Sequence, residues 1–144
     1  MFDKILVGID GSEVSLKALE QAVDLARQLG SEITVVSVIN EMKMPFSAEF
    51  GLWAKESHEN LIRKVLESLN SAIIIIRENH PDMKVEARME EGRPAKKIIE
   101  IADAEGFDLI VLGRRGNGLV DHLIMGSVSS EVVRTSHRPV LIVG

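Results

Sequence analysis

The residues best suited to chemistry stand in one late stretch, Gly113-Arg114-Arg115-Gly116-Asn117-Gly118 and then Met125-Gly126-Ser127-Val128-Ser129-Ser130. Three glycines in six residues follow an apolar run. A glycine lets backbone N–H groups approach a ligand with no Cβ in the way. Gly126-Ser127 then opens a helix, with Ser127 as its expected cap. The first N–H groups of a helix lack partners within it, and the helix dipole adds positive potential there. Such an end seats phosphate. Ser127 and Ser129 offer hydroxyls, and Arg114 and Arg115 offer charge. The same residues also fit an ordinary strand-to-helix turn with a solvated Arg-Arg pair, and counting glycines does not choose between the two. Two familiar phosphate loops are excluded. There is no G-x-x-x-x-G-K-[ST], and Gly116-Asn117-Gly118 lacks the third glycine of a dinucleotide fingerprint.

A second candidate is Asp10, between the apolar run Ile5-Leu6-Val7-Gly8-Ile9 and Gly11-Ser12. It reads either as a turn former beside a helix N-terminus or as a ligand-facing carboxylate. Other chemistries lack their residues. His58, His80, His122 and His137 are scattered, form no H-E-x-x-H pattern and read as surface histidines, with His122, inside the glycine loop, alternatively near phosphate. No G-x-S-x-G elbow exists for a serine hydrolase. The absence of cysteine excludes disulfides, zinc–thiolate sites, iron–sulfur clusters and thiol nucleophiles. Arg93, Lys96 and Lys97 begin a helix and read as a solvated face. Met42, Met44, Phe46, Phe50 and Trp53 suit packing, or a flap over a ligand or partner.

The elements that position these residues are legible from periodicity. Ile5–Ile9 is a short strand, apolar on both faces. Ser12 caps a helix carrying Leu16, Leu19, Ala22, Val23, Ala26 and Leu29, which Gly30 ends. Ile33–Ile39 is the second strand. Residues 40–52 read as a looser stretch, followed by a long helix from about Ala54 to Asn79 with Leu61, Val65, Leu69, Ala72, Ile73 and Ile76 on one face. Lys84–Glu90 alternates charged with apolar residues and belongs at a sheet edge. A helix with Pro94 in its first turn holds Ile98, Ile99, Ile101 and Ala102 inside and ends at Gly106. Phe107–Leu112 is a strand, Gly113–Met125 a loop, Ser127–Thr135 a helix and Val140–Val143 the last strand. Strict alternation predicts a doubly wound α/β fold with a mainly parallel sheet. Ligands in such folds sit beyond the carboxyl ends of the strands, where the strand order reverses. That points to Gly8–Ser12, the residues after Val38, and Gly113–Ser129.

Bulk properties agree with one globular domain over residues 1–144. Hydrophobic residues are 45% and charged residues 27%, which excludes wholesale disorder. A net charge of −5 argues against a general nucleic-acid or membrane-surface binder. The longest unbroken aliphatic stretch, Ala72–Ile76, is far below the roughly 20 residues of a membrane span. The expected location is cytoplasmic.

With these residues in place, the sequence resembles the universal stress protein family over nearly its whole length. The opening Ile5-Leu6-Val7-Gly8-Ile9-Asp10-Gly11-Ser12-Glu13 and the ending Arg138-Pro139-Val140-Leu141-Ile142-Val143 carry part of the likeness. The most specific part is the spacing G-x2-G-x9-G-[ST], met by Gly113, Gly116 and Gly126-Ser127. In that family the motif marks the ATP-binding branch. The resemblance implies a five-stranded parallel sheet of order 3-2-1-4-5 with helices on both faces. It also implies ATP or another adenine nucleotide, with Mg²⁺ or Mn²⁺ near Asp10. Val38 would contact adenine through its backbone, and Leu112 and Gly113 would line the base and ribose side. Gly116, Gly126, Ser127, Val128 and Ser129 would hold the phosphates, with Arg115 adding charge. Gly8 departs from the many members that carry proline or a larger residue, which would loosen the ligand side of the first strand.

Three functions follow as expectations. The first is an ATP-binding switch or sensor in stress response, with at most slow hydrolysis. The second is a slow ATPase or phosphotransfer protein of the same fold. The third is a nucleotide-free dimeric scaffold. The apolar last strand Val140–Val143 would be a sheet edge, so a homodimer through it is expected as well.

Overall fold

Short apolar runs alternate with amphipathic ones, and each folds as its pattern dictates. The order is β1 (Lys4–Gly8), α1 (Glu13–Leu29), β2 (Glu32–Ile39), α2 (Ala48–Asn79), β3 (Val85–Glu91), α3 (Pro94–Glu105), β4 (Leu109–Gly113), α4 (Ser127–Thr135) and β5 (Val140–Val143). The computed structural model describes residues 1–40, 48–114 and 125–144, those of 48–54 as backbone alone. The strands form one parallel sheet of order β3-β2-β1-β4-β5. A helical crossover between consecutive strands makes parallel pairing possible. The central strands are therefore covered on both sides and apolar on both.

Alternate residues of each strand face opposite cores. Ile5, Val7, Ile33, Val35, Leu109 and Val111 pack beneath α1 and α2. Leu6, Val36, Ile110 and Leu112 pack beneath α3 and α4. The two cores hold the strands, and so their carboxyl ends, in fixed register.

Three details differ from the periodicity reading. The helix expected from about Ala54 begins at Ala48. Leu61 lies 45% exposed, outside the stripe formed by Leu69, Ile73 and Ile76. In α1 the buried face is Ser15, Ala18, Leu19, Ala22, Val23 and Ala26, while Leu16 and Leu29 are exposed. The first buried residue, Ser15, is small, and the start of α1 runs close against the end of β4. A Cβ on Gly113 would come within 2.8 Å of Val14 Cγ1 and 3.1 Å of the Ser15 nitrogen. The ends of α1 are as expected. Ser12 Oγ accepts from the Ser15 N–H at 3.2 Å, and Gly30 closes the helix at φ 70°. No described helix is long and apolar enough to cross a membrane.

Candidate functional site

β1 leaves the sheet between β2 and β4, so its carboxyl end faces the point where the strand order reverses. There the structure opens a cavity of about 310 Å³. That is at the small end of the roughly 300–1,000 Å³ usual for small-molecule sites. Its floor comes from Gly8, Ile9, Val36, Val38 and Leu112, with Ile98 from α3. Asp10, Ser15, Asn40, Pro94, Gly113, Gly126, Ser127, Val128 and Ser129 complete its lining. Of the candidate residues read from the sequence, Gly8, Asp10, Val38, Leu112, Gly113, Gly126, Ser127, Val128 and Ser129 all lie on these walls. Arg115 and Gly116, with His122, lie outside the described residues. So do Met42, Met44 and Phe46, and the side chains of Phe50 and Trp53 are not described.

Gly8 does not loosen the floor. A Cβ there would come 2.7 Å from Leu112 Cδ2 and 3.2 Å from Ile98 Cδ1, so these side chains already fill its place.

The Asp10 turn is closed by its own side chains. Asp10 Oδ1 accepts from the Ser12 N–H at 2.9 Å, and Ser15 Oγ donates to the Ser12 carbonyl at 2.9 Å. Gly11, at φ 84°, takes the left-handed conformation that this turn requires.

α4 begins differently from the expectation. Its N-cap is Gly126, at φ −77° and ψ 167°, and no side chain caps it. Ser127 is the first helical residue and is exposed, not the cap. Ser129 is buried, and its hydroxyl lies 2.8 Å from the Arg114 carbonyl and 3.2 Å from that of Gly126. It ties the helix to the loop instead of offering a free hydroxyl. The wall facing the cavity is therefore a helix N-terminus with backbone donors and no side-chain cap, the arrangement that favours an anion.

Arg114 is not on the walls. Its N–H donates to the Val143 carbonyl at 2.7 Å and its carbonyl accepts from the Gly126 N–H at 2.7 Å. It thus joins β4 to β5 and to α4. The described histidines are elsewhere: His58 contacts Glu91 at 3.3 Å, His80 lines a groove beside the amino ends of the strands, and His137 is exposed.

Sequence reasoning missed Ser15, Asn40, Pro94 and Ile98 as wall residues. Asn40 follows β2 directly, within the region that the strand-end rule singles out. Ser15, Pro94 and Ile98 reach the cavity only through helix packing, which no local pattern reveals. Among the described residues, no three His, Asp or Glu side chains converge to hold a metal alone.

The universal stress protein family model matches residues 1–144. The chain belongs to the universal stress protein family. Universal stress protein YxiE of Bacillus subtilis is 34% identical over 149 residues, with 99% of each chain covered. The universal stress protein fold recurs in UspA from Lactobacillus plantarum, at TM-score 0.89 and 20% identity, over 99% of this chain and 98% of that one. Two solved structures of the fold hold adenine nucleotides. A universal stress protein in complex with cAMP matches at TM-score 0.75 and 24% identity, over 99% and 97% of the two chains. The universal stress protein from Archaeoglobus fulgidus in complex with dAMP matches at TM-score 0.70 and 21% identity, over 100% and 98%. At those identities the likeness to this universal stress protein is one of fold.

Proposed function

We propose that this chain binds ATP or another adenine nucleotide in the cavity at the carboxyl ends of β1, β2 and β4. It then acts as a small cytoplasmic nucleotide-dependent switch or sensor in stress response. One observation carries the reading. The family motif's Gly113, Gly126 and Ser127 converge with Asp10 and Val38 around a single cavity, although more than 100 positions separate Asp10 from Gly126 in the chain. The apolar floor suits a base, and the uncapped start of α4 suits its phosphates. Asp10 would hold Mg²⁺ or Mn²⁺ together with the phosphates, and Arg115 and Gly116 would complete the phosphate side. The adenine nucleotides on relatives of this fold agree with this ligand class.

At most slow turnover is part of the same reading. Asp10 is the only acidic or basic side chain among the described lining residues, so no acid–base pair stands among them. A switch needs only different affinities in its two states. Mass spectrometry of ligand released from purified protein tests the reading. An adenine nucleotide is the expected result; empty protein that also fails to bind ATP by calorimetry refutes it. A turnover near the enzyme median of about 10 per second would favour the ATPase alternative.

The same reading includes a homodimer through β5. The two sheet edges differ in chemistry. β3 carries Glu86, Arg88 and Glu90, with Arg88 paired to Glu90 and Glu105. Hydrogen bonds to those two carboxylates hold the Arg88 pKa above its ordinary value. β5 offers Val140-Leu141-Ile142-Val143, with Leu141 37% exposed. Charge blunts an edge, and an apolar edge invites pairing.

A further inference from the structure

We propose that Ser37, which lines no part of the cavity, is a positioning residue that sets the orientation of Asp10; this rests on the nucleotide reading above. The observation is a grip on one peptide unit. The ladder between β1 and β2 ends with Gly8 opposite Val36, and its last bond runs from the Ile9 N–H to the Val36 carbonyl at 2.9 Å. Beyond it, the Ile9 carbonyl accepts from Ser37 Oγ at 2.9 Å. The N–H of the same peptide, that of Asp10, donates to Ser15 Oγ at 3.3 Å. Both hydroxyls are buried, Ser37 at 6% and Ser15 at 4% exposure.

A peptide unit is planar, so holding its carbonyl and its N–H from opposite sides fixes its rotation. That rotation sets the direction in which the next Cα, that of Asp10, carries its side chain. The two grips come from different elements, β2 and α1, each tied to the core. Ser37 also breaks the pattern of its own strand. Ile33 and Val35 precede it on the same face, and both belong to the apolar core under α1 and α2. A buried hydroxyl in that row is unfavourable unless it is hydrogen-bonded, and the Ile9 carbonyl meets the need. A valine there would pack as well but would leave that carbonyl to turn.

Two measurements test this. The first needs no ligand. In Ser37→Ala, amide hydrogen exchange at Asp10 should rise roughly tenfold while that of Val7 stays unchanged. Unchanged exchange at Asp10 overturns the proposal. The second is a double-mutant cycle on ATP affinity by calorimetry. Ser37→Ala should weaken binding roughly fivefold in the wild-type background and less than about twofold in Asp10→Ala, because its effect travels through Asp10. Ser37→Thr, which keeps the hydroxyl, should restore most of the affinity. Equal losses in both backgrounds would show a general structural effect and overturn the proposal. Wild-type protein that binds no ATP refutes the nucleotide reading instead, and the exchange measurement still decides whether Ser37 holds the peptide.

Discussion

Placing a side chain at Gly126 is the most direct test of the phosphate seat. Gly126 is buried on the cavity wall and is the N-cap of α4. Its φ of −77° and ψ of 167° are ordinary extended values that any residue adopts. Gly126→Val therefore strains no backbone, and its own N–H bond to Arg114 and carbonyl bond from Ser130 can persist. The loss of stability should be about 1 kcal/mol, the cost of a branched residue at an N-cap. On the proposed nucleotide reading, however, the isopropyl group would crowd a phosphate approaching the first N–H groups of the helix. Each charge-assisted hydrogen bond lost is worth roughly 1.5–3 kcal/mol. With a tenfold change for every 1.4 kcal/mol or so, one lost bond predicts an ATP affinity about 10- to 150-fold weaker. Titration calorimetry on the folded variant, with circular dichroism as the control, reads this directly. An affinity within about twofold of wild type would refute the phosphate seat. Gly113, Gly126 and Ser127 would then be a turn and nothing more.

Three further outcomes are expected. Asp10→Asn should abolish the Mg²⁺ or Mn²⁺ dependence of ATP binding, measured by calorimetry with and without chelator; an unchanged dependence removes Asp10 from any metal role. Leu141→Lys should turn a dimer into a monomer by light scattering at micromolar concentration, with an unchanged circular dichroism spectrum; wild-type protein that is already monomeric refutes the β5 pairing. Gly113→Ala should lower stability by about 1–3 kcal/mol in urea unfolding, because its Cβ would meet Val14 backbone at 3.0 Å and not merely a movable side-chain tip; unchanged stability would show that α1 can retreat from β4.

Much of this protein is legible in its sequence because the relevant signals are local. Short β-branched runs alternating with 3.6-residue periodicity specify a parallel α/β sheet whatever the details of packing. Ser12, Gly30, Gly106 and Pro94 mark helix ends through their own backbone preferences, and the structure finds them at those ends. The charged alternation of Lys84–Glu90 announces an edge strand. The glycine spacing and Asp10 point to a strand-end site through the family resemblance. Other features exist only in three dimensions. Periodicity narrows the inner face of α1 to an arc, but only the packed helix shows Ser15 and Ala18 buried and Leu16 exposed, with Ser15 close against β4 at Gly113. Serine after glycine looks like a cap, yet Gly126 holds that position and Ser129 reaches back to Arg114. Ser37 reads as one more strand residue until the register of β1 on β2 sets its hydroxyl against the Ile9 carbonyl. The physical reason is common to all three. A hydrogen bond or a close packing contact depends on distances between elements remote in the chain, and only the assembled sheet and helices set those distances.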